Sequence, residues 1–328
     1  MNVYTRGLRI ILKKYFILTE AGGGVGFGHI SRMAVLRNAL RNRVANIELR
    51  VKLELTTKQV WAGEIIPSDD WTQDGPKDGI VIVDSYRLGL EALAAIRAQN
   101  SKLIYMDDFG RLDPPCDLVI NANLGAESFV YRNAHETLAG SSFVILQEGI
   151  VRSQKKMNHR NEIHKILISV GGSEIKALFD SLEEFCKRHP KLEFKILVPW
   201  LTPATASPAS NIEFLPQLSS ENLAKIMIES DLVLSAAGQT THELAYLGVP
   251  FVAFSISKDQ EPKVEYLLKS GLQKIQIKMN SKEFSEDLDR AISQLASVEA
   301  RKAFAQQSIG LIDAKGVERM ADRIINLS

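Results

Sequence analysis

Cysteine is nearly absent: only Cys116 and Cys186 occur among 328 residues, seventy positions apart. With no CxxC and no His/Cys companion spacing, a disulfide framework and a structural zinc site are both unsupported, and a reducing compartment fits best. An excess of either charge is also missing. Forty basic residues stand against thirty-nine acidic ones, divided 17 against 17 in residues 1–150 and 23 against 22 beyond. A nucleic-acid binder carries a basic domain, so no nucleic-acid partner is expected. Long apolar runs are lacking too. The longest, roughly Leu244 to Phe254, is broken by Gly248 and Pro250 and falls far short of the ~20 residues that span a bilayer. The N-terminus carries Arg6, Arg9, Lys13 and Lys14 but no long apolar stretch with a cleavage site after it. No secretory signal or stable membrane insertion is expected, and cytoplasmic residence is the default.

What remains is ordinary globular material, 45% apolar and 24% charged, long enough for two domains with a core each. From Tyr15 the pattern runs strand, glycine-rich loop (22–28), then a helix with apolar residues at Ile30, Met33, Leu36, Leu40 and Val44. Short apolar strands then alternate with helices: Ile47–Leu55, Ile80–Val83, a helix around Leu90–Ala98, Leu103–Met106, Leu118–Ile120 and Phe143–Leu146. This alternation predicts an α/β protein with parallel sheets covered on both faces. A polar, basic, aperiodic stretch follows. It divides the chain into a first domain (1–150), a linker (151–163) and a second domain (164–328) whose last helix is a candidate to cross back. The second domain repeats the grammar with strands at Ile166–Val170, Phe194–Val198, Ile212–Leu215, Leu232–Ala236 and Phe251–Phe254. Two such domains enclose a cleft at the carboxyl ends of their strands, where this architecture binds ligands.

Three segments could carry chemistry. In Gly22-Gly23-Gly24-Val25-Gly26-Phe27-Gly28-His29, glycines let backbone approach a ligand, and first-turn amides can hold an anion. The spacing is not GxGxxG, because His29 stands where the third glycine belongs. An imidazole at a helix start has its pKa pushed down, as a general base requires. The same residues also read as a tight turn with a capping histidine. In Ser235-Ala236-Ala237-Gly238-Gln239-Thr240-Thr241-His242-Glu243, small residues and hydroxyls at a helix start suit an anion, and Glu243 suits vicinal hydroxyls. Thr240-x-x-Glu243 is equally a capping box that needs no ligand. Third, Asp84 and Tyr86 end an apolar strand at the ligand-bearing edge, where the aspartate could orient a base or cap a turn. Asp107-Asp108 lacks the further ligands of a Mg²⁺ site and reads as turn chemistry. His135, His159, His164 and His189 have no metal spacing. Lys155, Lys156 and Arg160 read as a solvated linker.

Together these motifs resemble the nucleotide-sugar hydrolases of nonulosonic (pseudaminic) acid biosynthesis, which release UDP from a UDP-2,4-diacetamido-2,4,6-trideoxyhexose. Those are similar in turn to the two-domain GT-B glycosyltransferases. The resemblance rests on Gly26-x-Gly28-His29-x-x-Arg32, on Val83-Asp84-x-Tyr86, and on Ala236-Ala237-Gly238-x-Thr240 with Glu243, Gly248 and Pro250. It implies a GT-B-like fold and a UDP-sugar substrate, with His29 as catalytic base and Asp84 and Tyr86 beside the sugar. It further implies Gly26, Gly28 and Arg32 at the first loop, Gly238, Gln239, Thr240 and Thr241 at the diphosphate, and Glu243 at the ribose. Asp259 and Gln260 would contact substrate, and no metal or cofactor is expected. Three positions depart from the family pattern: Ser85 replaces a histidine, His242 an aromatic, and Asp259 an asparagine. A glycosyltransferase with a UDP-amino-sugar donor, or a non-catalytic nucleotide-sugar sensor, would carry the same loops.

Overall fold

The structure, a computed structural model, describes residues 13–22, 25–44, 46–54, 60–61, 64–65, 70–72, 75–156, 158–171, 176–198 and 209–327. Residues 1–12, Gly23, Gly24, Leu55 and Gly172 lie outside these. The first half runs β1 (Tyr15–Gly22), α1 (Gly28–Arg41), β2 (Ile47–Glu54), a short hairpin of β3 (Val60–Trp61) and β4 (Glu64–Ile65), and β5 (Ile80–Asp84). It continues through α2 (Leu90–Gln99), β6 (Lys102–Met106), β7 (Leu118–Asn121), β8 (Thr137–Ala139) and α3 (Glu148–Arg152). The second half follows with β9 (Lys165–Ser169), α4 (Lys176–Arg188), β10 (Glu193–Leu197), β11 (Ile212–Leu215), α5 (Ser220–Glu229) and β12 (Leu232–Ala236). The chain ends with α6 (Thr240–Leu247), β13 (Phe251–Phe254), α7 (Glu261–Lys269), α8 (Phe284–Gln294), α9 (Val298–Ile309) and α10 (Gly316–Leu327).

Each half forms one parallel sheet, in the orders β2-β1-β5-β6-β7-β8 and β11-β10-β9-β12-β13. The strands read as continuous apolar runs because both sheet faces are covered. One face of the first sheet carries Ile17, Ile82, Ile104 and Ile120 against α1, and the other carries Leu18, Val81, Val83 and Tyr105 against the α2 side. Strand order reverses between β1 and β5 in one sheet and between β9 and β12 in the other. Such switch points open a crevice at the strands' carboxyl ends. Here those ends lead into His29 and Asp84 in the first half, and Gly171 and Gly238 in the second.

Phe143–Leu146 is not a strand. A 3₁₀ turn covers Ser141–Phe143 and extended chain leads into α3, while the sixth strand is Thr137–Ala139. The apolar run has another cause: Val144 and Leu146 enter the core of the second half, and Ile145 enters that of the first. Lys156 departs from its expected solvated role. It is buried, and its ammonium donates to the carbonyls of Ile228 and Ser230 at the end of α5, at 2.6 and 2.8 Å. These are among the carbonyls a helix end leaves unpaired.

Helix α10 returns to the first half, burying Met320, Ala321 and Ile324 with Met33, Leu36 and Leu40 of α1. Its first residue, Gly316, lies against the connector so closely that a Cβ there would sit 2.3 Å from the Val144 carbonyl oxygen. Backbone cannot swing aside like a long side chain. Gly316→Ala is therefore expected to lower stability by about 1–3 kcal/mol, read as a reduced urea midpoint at unchanged slope.

Candidate active site

Helix α1 begins at Gly28 with no side-chain cap, so His29 in its first turn is not a capping residue. It is buried, and its Nδ1 lies 2.8 Å from Asp84 Oδ1 at the end of β5. An ionised carboxylate can only accept, so Nδ1 carries the proton and Nε2 is the basic nitrogen. Burial works against a charged ring, but the Asp84 carboxylate outweighs it, and the His29 pKa rises from 6.5. This reverses the expected downward push of the helix start, because a fixed carboxylate in contact exceeds the partial charge of a helix terminus.

Arg32, one turn along α1, holds two carboxylates together. Its Nε and Nη2 donate to Asp84 at 2.8 and 2.5 Å, and its Nη1 and Nη2 donate to Asp108 at 2.6 and 2.8 Å. Burial alone would raise both carboxyl pKa values. The guanidinium wins, lowering Asp84 and taking Asp108 well below the usual carboxylate range. Asp108 is thus part of the site, not only turn chemistry. The turn belongs to Asp107, which accepts from the amides of Gly110 and Arg111. His29, Asp84 and Asp108 bring ligand-type atoms within 4.8 Å of one another. The Arg32 guanidinium already donates to both carboxylates, so acceptor positions that a cation would use are taken.

Tyr86 donates its hydroxyl to Asp108 Oδ2 at 2.5 Å and sets its ring edge-on to His29 with centroids 4.5 Å apart. Burial and the neighbouring Asp108 push its pKa far up, so it remains a phenol. The segment is anchored from beneath by buried Glu20, which accepts from Ser85 Oγ at 2.9 Å and from the Tyr86 amide at 2.7 Å. Ser85 therefore turns away from the cleft.

The cleft has a volume of about 240 Å³ and is walled by both halves. From the first come Gly26, Gly28, His29, Arg32, Tyr86, Asp108 and Gln147. The second supplies Gly238, Gln239, Thr240, Glu243, Asp259, Gln260 and Lys263. A Cβ on Gly28 or Gly238 would meet nothing within 4 Å and neither has positive φ, so packing demands glycine at neither. The missing side chains instead leave both helix starts open to close approach.

The Thr240-x-x-Glu243 capping box does not form. Gln239 is the N-cap, no side chain caps the helix, and the Gln239 amide donates across the halves to the Ile145 carbonyl. Glu243 is buried at the cleft, accepts a hydrogen bond from Gln147, and is pushed up by burial to a pKa of about 7. Thr241 does not line the cleft; its hydroxyl donates to the Gly238 carbonyl at 2.7 Å. Asp84 likewise stands one layer back, fully buried behind His29. His242 is buried beneath the site with both ring nitrogens unpartnered, and burial drives its pKa well down, leaving a neutral packing residue. Sequence reasoning missed Gln147, Asn123 and Lys263. Asn123 Nδ2 donates to Asp108 Oδ1 at 2.8 Å and its Oδ1 accepts from Lys263 at 3.1 Å.

Solved structures that share this fold include MurG of Acinetobacter baumannii (TM-score 0.59, 16% identity, 95% of this chain and 99% of that one). The S. aureus MnaA–UDP complex (0.61, 14%, 96% and 98%) and the calicheamicin glycosyltransferase CalG4 (0.61, 13%, 96% and 98%) share it as well. The fold is GT-B. In sequence, the chain is 24% identical over 285 residues to the UDP-2,4-diacetamido-2,4,6-trideoxy-beta-L-altropyranose hydrolase of Campylobacter jejuni. That alignment covers 79% of this chain and 97% of the hydrolase. It is 26% identical over 268 residues to the uncharacterized protein MJ1062 of Methanocaldococcus jannaschii, covering 73% of this chain and 55% of that protein. No family model matches the sequence. Among the described residues, no helix is long and apolar enough to cross a membrane.

Proposed function

We propose that the protein hydrolyses a UDP-linked diacetamido-trideoxy sugar of the pseudaminic type at its anomeric C–O bond, releasing UDP with inversion. The observation that carries this is the His29–Asp84 pair facing a cleft whose opposite wall is the glycine-opened start of α6. His29 Nε2 takes a proton from water as its oxygen bonds to the anomeric carbon. The bond to the diphosphate oxygen breaks, its electron pair leaves with UDP, and Asp84 stabilises the imidazolium that forms. The Gln239 and Thr240 amides at the start of α6 face the charge developing on the leaving group, while the Gly238 amide is taken by the Ala236 carbonyl at 2.7 Å. Glu243 accepts from the ribose hydroxyls. The likeness to the Campylobacter jejuni hydrolase over nearly its whole length favours water over another acceptor.

The test follows UDP release from a panel of UDP-diacetamido sugars with water as the sole acceptor. Release that begins only when an acceptor alcohol is added would replace hydrolysis by glycosyl transfer. Tight binding with no turnover under either condition would leave a sensor. The role given to Glu243 has its own check. A ribose hydroxyl donates best to an ionised carboxylate, so the protonated form binds poorly. With a pKa of about 7, roughly a tenth of Glu243 is ionised at pH 6, and uridine affinity is expected to be about tenfold weaker there than at pH 8. Uridine is the right probe because it lacks the phosphate that titrates near 6. A flat profile in the parent protein would remove Glu243 from the ribose.

A further inference from the structure

The two described cations of the cleft wall differ in what they have left to give. Arg32 directs its donors into Asp84 and Asp108 and is neutralised by them. Lys263, in the first turns of α7, is buried to 6% exposure, and its ammonium makes one hydrogen bond, to Asn123 Oδ1 at 3.1 Å. An ammonium has three donors, so two remain. Asp108 lies within Coulombic reach but has no room for them. Its Oδ1 already accepts from Arg32 and Asn123, and its Oδ2 from Arg32 and Tyr86. Asp259 also acts on Lys263 through space, yet no carboxylate of a described residue comes within ion-pair distance of its ammonium. A buried ammonium with unused donors is costly unless something else accepts from it.

We propose that Lys263 grips the diphosphate of the bound nucleotide sugar, donating its two free N–H groups to phosphate oxygens opposite the start of α6. This rests on reading the cleft as a nucleotide-sugar site. The charge of the cleft supports the assignment. Asp84 and Asp108 together cancel Arg32 and more, and Asp259 adds a further negative charge on the wall. A diphosphate entering without Lys263 would therefore meet repulsion. Lys263 also sits on the second half while its one partner, Asn123, belongs to the first, so the ammonium is held at the seam where the leaving group must lie.

The experiment measures UDP and uridine affinities by calorimetry at pH 7.5 for the full-length parent protein, Lys263→Met and Lys263→Arg, with urea unfolding as a control for folding. Loss of a charge-assisted hydrogen bond predicts UDP affinity lower by about ten- to hundredfold in Lys263→Met, with partial recovery in Lys263→Arg. Uridine affinity stays within about twofold. Equal losses for uridine and UDP would make Lys263 a tie between the halves and overturn the proposal, as would an unchanged UDP affinity. A parent protein that binds neither compound would instead defeat the nucleotide-sugar reading itself.

Discussion

His29→Ala is expected to lower kcat by about 10²- to 10⁴-fold, the range that proton transfer by a positioned base contributes, while leaving UDP affinity unchanged. The fold should survive the change because Asp84 keeps its Arg32 partner when the imidazole is gone. Added imidazole should restore part of the rate through the space the ring vacates. The parent's pH profile supplies an independent reading. A base acts when neutral, and the His29 pKa is raised from 6.5 by Asp84. Accordingly kcat, measured at saturating substrate so that the Glu243 titration in binding drops out, rises with pH through a midpoint above 6.5 and is level beyond it. Full turnover by the alanine variant, or a rate that falls across that interval, would take the base role from His29.

Arg32→Met has the larger effect on the fold. Removing the guanidinium leaves Asp84 and Asp108 buried and facing each other without their counter-ion, and such a loss costs about 3–5 kcal/mol. The pH dependence distinguishes this cause from simple loss of packing. In the parent both carboxyls titrate below their ordinary range. Their stabilising contribution is present above the unfolded carboxylate pKa near 3.9 and is lost only as pH falls through the lower folded values. Without Arg32 their folded pKa values rise, so protonation favours the folded variant as pH falls. Urea unfolding at pH 7.5 and pH 4.5 should show the gap between parent and variant narrowing at the acidic end. An equal gap at both would mean that charge burial is not the cause.

Much of this site is written locally in the chain. Strand, glycine loop and helix around His29, and the same grammar around Gly238, announce themselves because backbone approach and helix starts need particular residues within a few positions. Asp108 was legible by the same logic as Asp84: each stands at the carboxyl end of a parallel strand, β6 and β5, where the fold places ligands. Reading the pair with Asp107 as one turn obscured it. Gln147, Asn123 and Lys263 were not legible. Each is an ordinary polar residue, Lys263 standing three positions beyond Gln260 without belonging to its motif, and only the meeting of the two halves gives it a role. Phe143–Leu146 misled for a related reason, since an extended connector feeding two cores has the composition of a buried strand without strand neighbours.

That connector and the entry to α10 are the covalent passages between the halves, and they touch at Val144 and Gly316. A joint made of two adjoining backbone segments resists torsion far more than a single tether does, while still bending about the line through the contact. The cleft lies between halves joined by this double strap, so His29 on one wall and the start of α6 on the other are both referenced to the same pair of backbone segments.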